Sequence, residues 1–121
     1  MTSWTAAELD AVGRAGELRV GGVRDDGTLR PLVIVWQVRV GDDLYLRSVR
    51  GPEGAWYRGV LRHLRGRIQS GGVTKDVRFA RDTEHDDEVD AAYRAKYGTG
   101  SAVRSITSDL ARQTTLRVTP A

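Results

Sequence analysis

The sequence predicts an α+β domain: a six-stranded, mostly antiparallel split β-barrel, with three to four peripheral helices. Three observations carry this. Six short runs have the apolar alternation of strands. Most are joined by only a few turn-forming residues, which favours antiparallel pairing over crossover units. Stretches of helical periodicity lie at the start, in the middle and near the end, and a small barrel places such segments at its periphery. With 121 residues and no linker, repeat or low-complexity stretch, the chain reads as one domain spanning 1–121. A chain of that size buries about two-thirds of its unfolded surface and needs no metal or disulfide staple.

Taken in order, Thr5 and Glu8 have capping-box spacing, Trp4 and Leu9 have hydrophobic-staple spacing, and Gly16 ends the first helix. ELRVGGVR (17–24) and TLRPLVIVWQVRV (28–40) read as strands across Asp25-Asp26-Gly27. In the longer one, Leu32, Ile34, Trp36, Val38 and Val40 share a face, and Val33 and Val35 make the opposite face apolar as well. That half of the strand is expected to be covered on both sides, the second time by a helix or a partner subunit. LYLRS (44–48) is the third strand, and a helix is expected from Glu53 to Leu64. Residues 66–70 and 73–80 form a hairpin across Gly71-Gly72. Thr83 is the expected N-cap of a helix with acids in its first turn, Arg94 and Lys96 in its last, and Gly98 as its stop. A further helix, 102–112, is expected to bury Val103, Ile106 and Leu110, and TTLRVTP closes the barrel.

Composition removes several chemistries. The absence of cysteine excludes disulfides, thiolate nucleophiles and Cys-based metal sites, and fits a cytoplasmic location. The first sixteen residues contain acids and no apolar core of a leader, and no apolar run reaches membrane-spanning length, so no membrane partner is expected. No G-x-S-x-G elbow, P-loop or G-x-G-x-x-G motif is present. The net charge of +3 comes from 19 basic and 16 acidic residues. Acids at Glu17, Asp25, Asp42 and along 82–90 disperse the basic character, which disfavours nucleic acid as a partner.

The densest chemistry lies in YLRSVRGPEGAWYRGVLRHLRGR (45–67), with six arginines and one histidine about a GPEG turn. A strand ends at Arg47-Ser48 and a helix starts after Gly51-Pro52-Glu53-Gly54. The amides of a helix's first turn suit a phosphate or carboxylate. Arg47, Arg50 and Arg58 are expected to add guanidinium forks and Ser48 a hydroxyl. Gly51 and Gly54 allow close approach to the backbone, and Trp56 and Tyr57 can stack on a ring. The competing reading has Trp56 and Val60 anchoring the helix while the arginines stay solvated. Lys96 and Tyr97 are read first as a dipole-complementing helix end. His63, between Arg62 and Arg65, sits where its charged form is disfavoured. His85 in EHDD belongs to an acidic first turn, and its neighbours point around the helix instead of converging on a metal.

Trp4, VWQVRVGDDLYLRS, RSVRGPEGAWYRG, GRIQSGGVTKDVRF, DAAYRAKYG and TLRVTP occur in this order through nearly the whole chain. On these the chain resembles a bacterial family, the domain of unknown function numbered two-two-five-five. That family is similar in turn to split β-barrel proteins that bind flavin mononucleotide or a deazaflavin, among them pyridoxamine-phosphate-oxidase-like and deazaflavin-dependent nitroreductase-like groups. The resemblance implies the barrel, a homodimer, and a small anionic aromatic ligand of the kind used for redox chemistry. It implies no substrate, and the Lys, Arg and Ser/Thr arrangement that marks the better-known phosphate sites is not evident. A non-catalytic ligand-binding or assembly module that has lost its cofactor is the alternative, and weak nucleic-acid binding is the third.

Overall fold

The computed structural model describes residues 3–121; Met1 and Thr2, part of the stretch read as lacking a leader, lie outside them. The elements run α1 (Ala6–Arg14), β1 (Leu18–Gly22), β2 (Val33–Val35), β3 (Gln37–Val40), β4 (Asp43–Leu46), a 3₁₀ turn (Gly51–Glu53), α2 (Ala55–Leu61), β5 (Arg65–Ser70), β6 (Val73–Arg81), α3 (Asp86–Tyr97), α4 (Ser101–Ile106), α5 (Asp109–Arg112) and β7 (Leu116–Pro120). The strands form one antiparallel sheet in the order β2-β1-β5-β6-β7-β4-β3.

Seven strands replace the expected six because the run 28–40 changes partners. Its first part pairs with β1 and its second with β4, and Trp36 between them belongs to neither. The two edges of the sheet are therefore consecutive in the chain, and the barrel closes through one backbone corner instead of a last row of hydrogen bonds. Gln37 holds that corner. Its buried side-chain amide donates to the carbonyls of Val12 and Ala15, which pins the end of α1.

Inward positions of the barrel, among them Val20, Leu46, Ile68, Phe79 and Val118, make the larger core. α1 contributes Leu9 and Val12 at one end of the barrel, and α2 contributes Tyr57 and Val60. The capping box forms as expected, with Thr5 Oγ1 accepting from Glu8 N and Glu8 accepting from Thr5 N. Trp4 joins the same core and donates from Nε1 to the Val118 carbonyl at 2.9 Å. A second core lies outside the barrel, where Val38 and Tyr45 pack against Val89 and Tyr93 of α3 and Val103 and Ile106 of α4. β4 is thus covered on both faces, whereas Val33 and Ile34 of β2 remain exposed.

The helices also depart from expectation. Five α-helices and a 3₁₀ turn occur among the described residues, against three to four predicted. The stretch 102–112 breaks into α4 and α5. Thr107 Oγ1 donates back to the Val103 carbonyl, and Ser108 leaves the helix to cap α5 through the Ala111 amide. Hydroxyl groups compete with the helical ladder in this way. The break turns Leu110 outward to 50% exposure instead of into the core. α3 begins at Asp86, behind His85 instead of Thr83. α2 is confined to 55–61, since Gly51–Glu53 wind as a tighter turn.

Candidate functional site

A cleft of about 640 Å³ opens between β2, the β4–α2 junction and α4. It is lined by Val33, Ile34, Val35 and Trp36, by Val49, Ala55 and Trp56 of the junction, and by Ala102 and Ile106 of α4. Its polar groups are few: Glu17, Arg47, Ser48 and Arg50. Pockets of this volume with mostly apolar walls and a few polar groups are the usual form of a small-molecule site.

Both tryptophans are held by their surroundings. Trp36 stacks on Tyr97 with ring centroids 4.0 Å apart and planes 5° from parallel. Tyr97 is fixed in turn by its hydroxyl, which donates to the Gly16 carbonyl at 2.8 Å. Lys96 Nζ donates to the Gln37 carbonyl at 3.0 Å and lies 5.2 Å from the Tyr97 ring centroid. Burial lowers the Lys96 ammonium to about 8. Lys96 and Tyr97 thus buttress the Trp36 wall from behind. Trp56 meets Tyr57 edge-on at 6.1 Å and packs against the barrel core.

The arginines of the junction divide sharply. Arg47 is 1% exposed and occupied at every guanidinium nitrogen. Nε donates to Thr115 Oγ1 at 2.9 Å, Nη2 to Asp86 Oδ1 at 3.1 Å, and Nη1 to Asp90 Oδ1 and the Ile106 carbonyl. It therefore ties β4 to α3 and α4 beneath the cleft, and no fork remains for a ligand. Arg50, three residues on, is exposed and has no ion-pair partner among the described residues. Arg62 is paired with Asp25, whose carboxylate also accepts from His63 Nε2 at 2.8 Å; hydrogen bonds from both hold the Asp25 carboxyl below its ordinary range.

Of the residues expected at the site, the cleft brings together Arg47, Ser48, Arg50, Gly54 and Trp56. Gly51, Tyr57 and Arg58 are not in its lining: Tyr57 is in the barrel core, Arg58 is solvated, and Gly51 packs under Leu110. Gly54 is small for a physical reason, since a Cβ there would lie 2.1 Å from Ser48 Oγ. Trp36 and the β2 wall were not expected as site residues. The available signal was the two-sided apolar character of 33–35, which exceeds what a single barrel interior can bury.

Known proteins with this architecture come from several functional settings. The fold matches the heme storage protein HutZ of Vibrio cholerae, with a TM-score of 0.69 and 13% identity over 93% of this chain and 86% of that one. It matches an FAD-binding protein of Mesorhizobium loti, with a TM-score of 0.57 and 17% identity over 98% and 91%. An F420 reductase matches with a TM-score of 0.54 and 12% identity over 93% and 90%. At these identities the likeness is one of fold. No curated protein sequence matches. Residues 8–118 match the family described as "Uncharacterized protein conserved in bacteria (DUF2255)", and with nearly its whole length aligned the chain belongs to that family.

Proposed function

We propose that the cleft binds a planar, largely apolar ligand bearing negative charge, of flavin or deazaflavin type, and that the protein works as a homodimer. The observation that carries this is the pairing of two fixed tryptophans with one unengaged guanidinium, Arg50, in a cleft of about 640 Å³. Fused aromatic rings fit such walls by stacking and area burial. Arg50 suits a phosphate or carboxylate at the mouth, and Ser48 stands beside it. Fold likeness to proteins named for FAD binding, heme storage and F420 reduction supports a ring-shaped ligand but does not choose among them.

A flavin or deazaflavin supplies hydride chemistry when bound. The chain's residues bind it, orient it between Trp36 and Trp56 and exclude water with the β2 wall. Among the lining side chains only Glu17 is a carboxylate, and no histidine or lysine is present. That scarcity of proton-transfer groups favours, as the second reading, a binding module without turnover.

Titration of flavin mononucleotide and of a deazaflavin, followed by tryptophan fluorescence, tests the proposal. Saturable quenching is expected. Arg50→Ala should weaken binding about tenfold, the loss of one charge-assisted hydrogen bond. Absence of quenching by either compound at high micromolar concentration would remove the reading. Turnover separates the two classes: reduction of the bound group by a nicotinamide donor marks an oxidoreductase, and binding without it marks the module.

A further inference from the structure

The 16 acids look dispersed along the chain, but the fold sorts them. The acids of 82–90 engage Arg47, Arg112, Arg117 and His85 around α3, which lies over β3. The opposite side of the barrel is left with the reverse balance. Alternation places Arg65 and Arg67 of β5 and Arg78 of β6 on the outward face, all exposed. Cross-strand register adds Arg19 of β1, so four arginines share this face with one carboxylate, Asp76. Asp76 pairs with Arg67 at 2.8 Å. Arg19, Arg65 and Arg78 form no ion pair among the described residues.

Arg65 and Arg78 are, moreover, direct cross-strand partners. Like charges directly opposite on a sheet are destabilising. Fold stability gives no reason for the pair, whereas a polyanion does. We propose that the outer face of β1, β5 and β6 docks double-helical nucleic acid through its phosphates, without sequence preference.

The face itself favours this occupant over other anions. Its remaining outward positions on β5 and β6 include Gln69 and Thr74, and no large apolar or aromatic side chain is exposed on these strands; Ile34 of β2, cross-strand from Arg19, is the exposed apolar group at the edge of the face. A protein partner needs an apolar patch centre, and a membrane surface is met by basic residues accompanied by apolar side chains that insert. Single strands are held on aromatic platforms, which this face lacks. Every cation on it is arginine, whose planar fork matches phosphate oxygens. Contacts of that type position a protein on a duplex and carry no sequence information.

The test is fluorescence anisotropy with labelled mixed-sequence DNA and RNA duplexes of about 20 base pairs, from about 50 to about 200 mM salt. With three unpaired arginines engaged, log K should fall against log salt with a slope of about −3. Arg65→Ala/Arg78→Ala should reduce the slope by about 2 and weaken binding at least tenfold, while Arg65→Lys/Arg78→Lys keeps most of it. The alanine pair should melt at or above the wild-type temperature, since it removes a repulsion, and should still quench with any cleft ligand that wild type binds. Three results overturn the proposal: no duplex binding near 50 mM salt, an unchanged slope in the alanine pair, or displacement of the duplex by polyglutamate of equal charge. The last would assign the face to an acidic protein.

Discussion

Arg47 and Arg50 stand three residues apart in RSVRG, yet they belong to different economies of the molecule. Arg47 is buried and satisfied by two carboxylates, a threonine and two carbonyls. Removing one partner of such a pair leaves a charge in low dielectric, which is far costlier than replacing both. Asp90→Ala should therefore cost about 3–5 kcal/mol, read as a lower denaturant midpoint at unchanged slope. Arg50→Ala, at a solvated position, should stay within about 0.5 kcal/mol of wild type while it weakens ligand binding. The sequence could not separate the two. The acids that claim Arg47 lie about forty positions downstream, and only the docking of α3 on β3 and β4 brings them in. Ser48, Gly54 and Trp56 were legible because strand end, turn and helix start are local features. Trp36 was not, since its role depends on what the two halves of its strand pair with.

Elements were read well where their signals are short-range. The capping box, the Gly71-Gly72 hairpin with both glycines at positive φ, and the Gly98 stop all follow from neighbouring residues. The corner at Trp36 escaped because alternation continues through it: Ile34, Trp36 and Val38 keep period two although the hydrogen-bonding partner changes. The break at Thr107-Ser108 did carry a signal, two adjacent hydroxyl residues in a helical stretch, which the apolar spacing of Val103, Ile106 and Leu110 outweighed. The junction turn offers the test at this scale. Gly51 has φ +69, and a Cβ there would stand 2.3 Å from Leu110 Cγ. Gly51→Ala should cost at least about 1–2 kcal/mol from the left-handed conformation alone. Adding Leu110→Ala should recover the clash and not the backbone cost, a distinction a double-mutant cycle by chemical denaturation resolves.

At the scale of the molecule, the barrel leaves one apolar region uncovered. Val33, Ile34 and Val49 are 40%, 53% and 52% exposed and all line the same cleft. A second copy of the chain is the proposed cover, which would also complete the ligand's enclosure. Sedimentation equilibrium at micromolar concentration should then give a dimer, and Ile34→Asp a monomer with weakened ligand quenching. A wild-type monomer would count against the shared site.

The place of β7 has a consequence for how the chain is made. Ribosomes deliver the chain from its N-terminal side, yet β7, the last of the described elements, is threaded into the middle of the sheet between β6 and β4. Until residues 116–120 clear the exit tunnel, both neighbouring strands present unpaired edges, and the β2-β1-β5-β6 and β4-β3 portions are joined by the Trp36 corner but by no strand pairing. The folded barrel must therefore wait for residues 116–120, and a nascent chain stalled before them would be two sticky half-sheets. The hairpins can form as they emerge; the barrel forms only once its last strand is available.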